Sequence, residues 1–451
     1  MVDVIPPLPP RVGGSSVLKI VVIGFLGFCL MVPLTLIWIL VAERSERRDE
    51  VVRETVASIG RSQTVGGIVI DLPYDVVERQ SNGLTATVTR HAYAHPETLT
   101  IEATLTPEVR KRSLYQVVVY RTKVKMTGVL APPDLAKLGA NAVAVHWDRA
   151  ATSVEISDLR GTLAVSPLTF GDRRITLEPM ADGASVFPRG VRGLTPLAAD
   201  AQEKVPFSVE LTLAGSEAFR IVPSGKATEA HLTAPWAHPG FHGAFLPASH
   251  RTTAEGFDAR WQVSYLARAF PHTWLDTQAD RTALIDQRQA SSFGVNLVQS
   301  VDQYQQTERA VKYGFLFVLL TFTVFLLWEL LRGLGLHPIQ YLLIGAALVV
   351  FYLLLLSLSE HVGFAPAYAI AAGATIALVT AYAANVLRAG VSGAVGVGGW
   401  LATLYGLLYV LLQLEDVALL VGSIFVFLML ALVMFLTRRL DWGGVRGVQP
   451  V

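Results

Sequence analysis

Residues 313–331 read YGFLFVLLTFTVFLLWELL, a stretch with one charge, Glu329, close to its end. A bilayer core of about 30 Å takes about 20 helical residues at 1.5 Å each, so this stretch predicts a membrane-spanning helix. Five further windows meet the same test, at 20–41, 339–358, 364–387, 398–414 and 417–436, and none contains a charge. The first has no convincing small-residue cleavage site after it and reads as an uncleaved anchor rather than a signal peptide. The expected fold is therefore an integral membrane α-helical bundle of six spans, one before and five after a long insertion.

Composition agrees with that. The chain has 451 residues, 52% hydrophobic and 16% charged, with a mean hydropathy of +0.45, which excludes a wholly cytosolic enzyme. Its 37 Lys and Arg against 36 Asp and Glu give +1, and no basic stretch offers a nucleic-acid footprint. One cysteine, Cys29, allows neither a disulfide framework nor a cysteine-based metal site.

Orientation follows from Lys and Arg in the short connections, which are retained on the cytoplasmic side. With the N-terminus inside, the inner segments hold Arg11, Lys19, Arg332, Arg388, Arg438, Arg439 and Arg446, while the outer short loops carry Glu360, Glu415 and Asp416. Arg44, Arg47, Arg48 and Arg53 run against this, interleaved with acids just after the first span. On the C-terminal loops, residues 1–19 and 437–451 are cytoplasmic and residues 42–312 form a large domain outside the cytoplasm.

Seven basic and six acidic residues lie outside 42–312, leaving 30 of each inside, so that domain is electrically neutral. Its segments at 84–89, 115–120, 207–213 and 257–263 alternate apolar and polar residues with period two, the pattern of half-buried strands. About a dozen strands separated by turn signals suggest a large all-β domain of β-sandwich type. Residues 133–139 read as a short helix, with proline early and glycine last. Residues 292–312 read as a longer stalk helix entering the second span, with Leu297, Val301 and Tyr304 on one face. No fixed-period repeat is present, and no long Pro/Ser/Gly linker separates the domain from the bundle, which predicts that the two are coupled.

The common catalytic signatures are absent: His-Glu-x-x-His, Gly-x-Ser-x-Gly, a dinucleotide fingerprint and a P-loop. The expectation is a protein that is not an enzyme and carries no cofactor. His231, His238, His242 and His250 fall within twenty residues, so a zinc site is weighed, with His238 and His242 as its candidates. Prolines and glycines break up the segment and no carboxylate or cysteine stands at ligand spacing, so polar-loop histidines are the favoured reading. Arg110, Lys111 and Arg112 beside Tyr115 could grip an anionic envelope group through guanidinium forks. The plainer reading is a solvated strand with Glu102 and Glu108 as partners.

Glu329 is an acid inside hydrocarbon, a place where acids are costly and usually paired, buried or functional. Arg332, three residues on, is its expected partner in a structural ion pair, with a proton or ligand site as the alternative. Tyr405, Tyr409 and Gln413 form a polar stripe on the fifth span that would face other helices, and the fourth span is rich in alanine, which permits close helix packing. No helix broken mid-membrane is foreseen.

Several motifs resemble one family. Trp328-Glu329-Leu330-Leu331-Arg332-Gly333-Leu334 followed by His337-Pro338-Ile339-Gln340-Tyr341 is similar to the CreD family signature, as are Ser357-Leu358-Ser359-Glu360-His361, Gln413-Leu414-Glu415-Asp416 and Thr437-Arg438-Arg439-Leu440-Asp441-Trp442. In the exported part, Trp236-Ala237-His238-Pro239-Gly240-Phe241-His242-Gly243-Ala244-Phe245-Leu246-Pro247 resembles the family's segment, with Gly240 in place of serine. Arg112-Ser113-Leu114-Tyr115-Gln116-Val117 resembles its Arg-Gly-Ile-Tyr-Glu-Val, departing at Ser113 and Gln116. The resemblance implies an inner-membrane protein of Gram-negative bacteria tied to cell-envelope integrity and, in some species, made under a two-component system. It supplies no catalytic residues. The leading expectation is an envelope-integrity or envelope-stress protein that binds a lipid, glycan or protein partner through its periplasmic domain. A small-molecule or lipid transporter or transporter accessory comes second, and an envelope enzyme with an unusual histidine site third.

Overall fold

The structure, a computed structural model, describes residues 14–79, 84–112, 115–180, 187–198, 204–278, 280–297, 303–332, 336–386, 390–414 and 417–438. The chain divides into two compact units, with boundaries at Asp49/Glu50 and Ser300/Val301.

The apolar unit is helical. Helices α1 (Gly14–Cys29) and α2 (Met31–Ile59) meet at Leu30. Pro33 has no N–H to offer the Cys29 carbonyl, which interrupts the ladder there. Leu30 N donating to Leu26 O and Leu34 N donating to Leu30 O continue it on either side. After α3 (Arg281–Ala290) in the other unit, the apolar unit resumes with α4 (Gln303–Lys312), α5 (Gly314–Arg332), α6 (Pro338–Val362), α7 (Phe364–Val386), α8 (Gly390–Gln413) and α9 (Ala418–Thr437). Among the described residues, five helices are long and apolar enough to cross a bilayer: Leu18–Glu54, Pro338–Val362, Phe364–Asn385, Gly393–Gln413 and Ala418–Thr437. The pair Gln303–Lys312 and Gly314–Glu329, bent by 43°, makes a sixth if counted as one. That bend falls at Tyr313, where the predicted second span begins. Ala367, Ala371 and Ala383 of α7 are buried, small side chains where helices approach closely.

The other unit is sheet-rich. Its longer strands are β1 (Gln63–Arg79), β2 (Thr85–Ala94), β3 (Thr98–Arg112), β4 (Tyr115–Leu130), β5 (Ala151–Ile156), β6 (Gly190–Leu194), β7 (Val205–Ser216), β8 (Ala218–Ile221), β9 (Ala227–Ala234), β10 (Pro239–Gly243), β11 (Phe257–Ser264) and β12 (Phe293–Leu297). All four period-two stretches hold strands. A ten-stranded sheet runs β6-β5-β1-β8-β12-β10, with β2 on the far half of β1, and a nine-stranded sheet runs β11-β9-β3-β4-β7, with short strands completing each. Most pairs are antiparallel, but β1 with β8 and β9 with β3 are parallel. One apolar core draws on both sheets, through Ile68 and Ile70 of β1, Ile101 of β3, Met126 of β4, Phe219 of β8 and Trp261 of β11.

The first sheet is covered on its other face too. Val69, Tyr93, Phe187, Val222, Phe270, Trp274 and Leu284 of α3 form a second apolar cluster there. This explains why Ile68, Val69 and Ile70 are all buried although consecutive strand residues point to opposite faces. Within the same unit, Val52 and Val56 of α2 pack on Val117 and Val119 of β4.

Two helix expectations fail. Residues 293–297 are strand β12, because Phe293, Val295 and Leu297 alternate with Gly294 and Asn296 and pair with β8 and β10. The described helix α4 covers only Gln303–Lys312 of the expected stalk and belongs to the helical unit. Residues 133–139 form hydrogen-bonded turns rather than a helix, with Leu138 N donating to Asp134 O and Gly139 at φ +71°. Conversely, α3 was unread despite a clear start, the Asp280 carboxylate accepting from Thr282 N at 3.0 Å.

Candidate functional site

Three polar constellations stand out. The first surrounds Glu329, which is 5% exposed. Its carboxylate accepts from the ammonium of Lys19 on α1, from the backbone N–H of Leu336 at 3.1 Å and from the hydroxyl of Tyr341 at 2.9 Å. A buried carboxylate needs both a counter-charge and filled lone pairs, and these three donors supply them. The partner here is Lys19, 310 positions away. Arg332 ends α5, and its side chain lies outside the described residues. The same turn starts α6: Pro338 takes the first helical position, His337 accepts from Ile339 N, and Gln340 accepts from His337 N at 2.9 Å, a reciprocal capping box. Glu329, His337, Pro338, Gln340 and Tyr341 of the helical signature thus stand at the facing ends of α5 and α6.

The second constellation gathers about α4, at the ends of α6 and α8 that lie away from that connection. Tyr304 donates to Glu360 at 3.1 Å, and Arg309 donates to the carbonyls of Leu411 and Leu414, satisfying groups that the end of α8 leaves open. Trp38 donates to Glu308 at 3.2 Å. Tyr304, Gln306 and Thr307 are buried. Of the tyrosine stripe, Tyr405 is buried and Tyr409 lies 5.2 Å from Tyr368 ring to ring, while Gln413 is exposed.

The third lies in the sheet-rich unit, on the outer face of the ten-stranded sheet. Asp71 of β1, 1% exposed, holds His91 Nδ1 at 2.7 Å through one oxygen and Arg192 at 2.7 Å through the other. The hydrogen bond to Asp71 raises the His91 pKa above its ordinary value, against the opposing effect of burial. Next to it, Arg288 of α3 pairs with Glu155 of β5. Burial pushes the Glu155 carboxyl up even with that guanidinium beside it. Gly67 of β1 makes room for the pair, since a Cβ there would strike Arg288 Nη2 and Glu155 Oε2. The sequence carried signals for both: Asp71 directly follows the apolar run Ile68-Val69-Ile70, and Arg288 falls four residues after the buried Leu284 on one helix face.

The remaining candidates do not converge. His242 on β10 accepts from Arg220 Nε at 2.9 Å, and burial together with that cation lowers its pKa. His238 is exposed, His231 pairs with Asp258 at 2.9 Å in the other sheet, and His250 packs on Phe241. Among the described residues no group of three or more His, Cys, Asp or Glu is placed to hold a metal ion. Trp236 is half-buried and packs on the main core. Arg110 stands 3.5 Å from Glu108 near the exposed end of the β3–β4 hairpin; Tyr115 is buried, and Arg112 closes β3 with its side chain outside the described residues.

Comparison with known proteins places the chain. The model of the family described as inner membrane protein CreD matches residues 15–443. Inner membrane protein CreD of Escherichia coli (strain K12) is 30% identical over 428 residues, covering 92% of this chain and 90% of that protein. Among solved structures, an M1 zinc metallopeptidase from Deinococcus radiodurans aligns with 37% of this chain and only 38% of its own length, at 10% identity and a TM-score of 0.19. A two-domain M1 zinc metallopeptidase bound to tryptophan gives a TM-score of 0.18. Scores that low carry no argument about fold or chemistry. The motifs at the facing ends of α5 and α6, together with a match along nearly the whole length, lead to one conclusion: the chain belongs to the CreD family of inner membrane proteins.

Proposed function

We propose that this chain is a non-enzymatic envelope protein of six spans, its sheet-rich unit a periplasmic β-sandwich that binds an envelope lipid, glycan or protein partner, its two termini cytoplasmic. The observation that carries the orientation is the placement of α4. The chain returns from the sheet-rich unit into α4, which bonds to the Glu360 end of α6 and the Leu414 end of α8. The connections at those ends are acidic, whereas the opposite ends carry Lys19, Arg332 and Arg388. Basic residues are retained inside, so the α4 end faces out. The balanced charge of residues 42–312 and the lack of the common catalytic sequence signatures support recognition over catalysis.

Transport is the second reading. The 43° bend between α4 and α5, with Tyr304, Gln306 and Thr307 buried at it, supports that alternative, because broken helices often flank substrate paths in membranes. Native mass spectrometry of the full-length protein, extracted mildly from its own membrane, tests the binding reading. A discrete lipid, glycan or protein adduct that is lost when residues 50–300 are deleted is the expected result. Bare protein, or an adduct that survives the deletion, would move the function to the helices.

A further inference from the structure

The segment 265–278 borders the ten-stranded sheet, where its Thr273–Leu275 pairs antiparallel with Ala92–Ala94 of β2 as an edge strand. Its Phe270 and Trp274 pack with Val69 and Tyr93, and Trp274 stacks on Tyr93 with ring centres 5.3 Å apart. Two histidines sit beneath and within it. His95, 0% exposed, donates from Nδ1 to the Ile68 carbonyl at 2.8 Å and has no partner at Nε2 among the described residues. His272 accepts at Nδ1 from Arg268 at 3.2 Å and turns Nε2 toward Glu97, 3.5 Å away. The two rings are 6.4 Å apart. Arg268 in turn donates to the carbonyls of Pro223 and Ser224. The segment is tied to the body of the unit by backbone bonds, His95 N donating to His272 O and Asp276 N to His91 O, and by a side-chain chain that runs from Glu97 to His272, on to Arg268 and then to backbone.

We propose that His95 and His272 make 265–278 an acid-released flap: protonation of the two imidazoles beside Arg268 and Arg288 frees the segment and uncovers the Tyr93 face of the sheet. The charges around the histidines come from every element packed there. Arg268 lies on the flap itself and stacks over Phe270 at 4.3 Å. Arg288 of α3, 3% exposed, reaches the same ring from 5.8 Å and brings Glu155 of β5 with it. Glu97 precedes β3, with Lys226 at 2.6 Å and Lys204 at 3.7 Å from it.

Cations outnumber acids around these rings. A proton on His272 Nδ1 would also set an N–H against the N–H of Arg268, cancelling the bond that holds the flap. Burial first, and then the neighbouring guanidiniums, hold both imidazoles neutral: His95 well below its ordinary value and His272 down to about 4. A histidine depressed in the folded state binds its proton more tightly once freed. The closed form is thus fully favoured above the ordinary value of 6.5 and loses that advantage as pH falls toward 4. For His272 alone, the opening constant rises by about 20-fold between neutral pH and pH 5.

The test is hydrogen exchange of amides 265–278 in the full-length protein in nanodiscs, from pH 7 to pH 4.5, corrected for the intrinsic rate. Opening at least about 20-fold faster at pH 5 is expected in the parent protein. His272→Asn, whose side-chain oxygen can still accept from Arg268, removes the His272 share and is expected to give a rise at pH 5 about 20-fold smaller than the parent's, His95 supplying what remains. A flat profile in the parent, or the same acid response in both proteins, would overturn the flap. If His272→Asn does not fold, exchange of the C2 hydrogen of His272 in the parent gives its titration midpoint directly. A midpoint far below 6.5 that tracks amide opening supports the proposal, and one near 6.5 refutes it.

Discussion

Gly67 is where a single added carbon meets the most resistance from charged groups. Its missing Cβ is the space in which Arg288 and Glu155 pair against β1, so Gly67→Ala must push apart a buried ion pair. Separating such a pair costs about 3 kcal/mol or more, because two charges lose their compensation where water cannot replace it. The expected result is a thermal midpoint for the sheet-rich unit several degrees lower, followed by intrinsic fluorescence of the full-length protein; an unchanged midpoint would mean that the pair shifts without cost. Glu329 shows what was legible at this scale and what was not. An acid in an apolar span announces that it has a partner, and Arg332 is the nearest cation along the chain. Lys19, the partner found, stands 310 residues earlier, and helical spacing says nothing about a neighbour on another helix. The histidine group at 231–250 is the opposite case, close in sequence but divided between two sheets by strand pairing.

Among elements, legibility followed periodicity. The apolar windows and the period-two strands were readable because bilayer thickness and the pleat each impose a repeat on the sequence. Short segments were not. Strand β12 has five residues, too few to separate a strand from one face of a helix when read together with the helical α4 beyond it. The break at Leu30 was encoded by Pro33, and the start of α6 by His337-Pro338-Ile339-Gln340. That start makes a prediction of its own. His337→Ala removes one arm of the capping box and should cost about 1 kcal/mol. The thermal midpoint of the protein in nanodiscs should fall by a few degrees and recover in His337→Asn, which keeps an acceptor. No recovery would show that the imidazole acts through packing rather than through its hydrogen bond.

At the scale of the whole molecule, the sequence patterns foretold apolar helices and one large sheet-rich insertion, and both are present. Strand order was beyond reach, since the parallel pairings of β1 with β8 and β9 with β3 join segments more than a hundred residues apart. The bend between α4 and α5 was hidden for another reason: the polar α4 has no hydropathy signal, and only its packing assigns it to the helices. The central claim is that the sheet-rich unit lies outside the cytoplasm. One cysteine placed at Leu246, which is 73% exposed in that unit, in a protein whose Cys29 is replaced by serine, tests it in living cells with a membrane-impermeant maleimide. Labelling of intact cells is the predicted result. Labelling that requires lysis would put the unit in the cytoplasm and contradict the account.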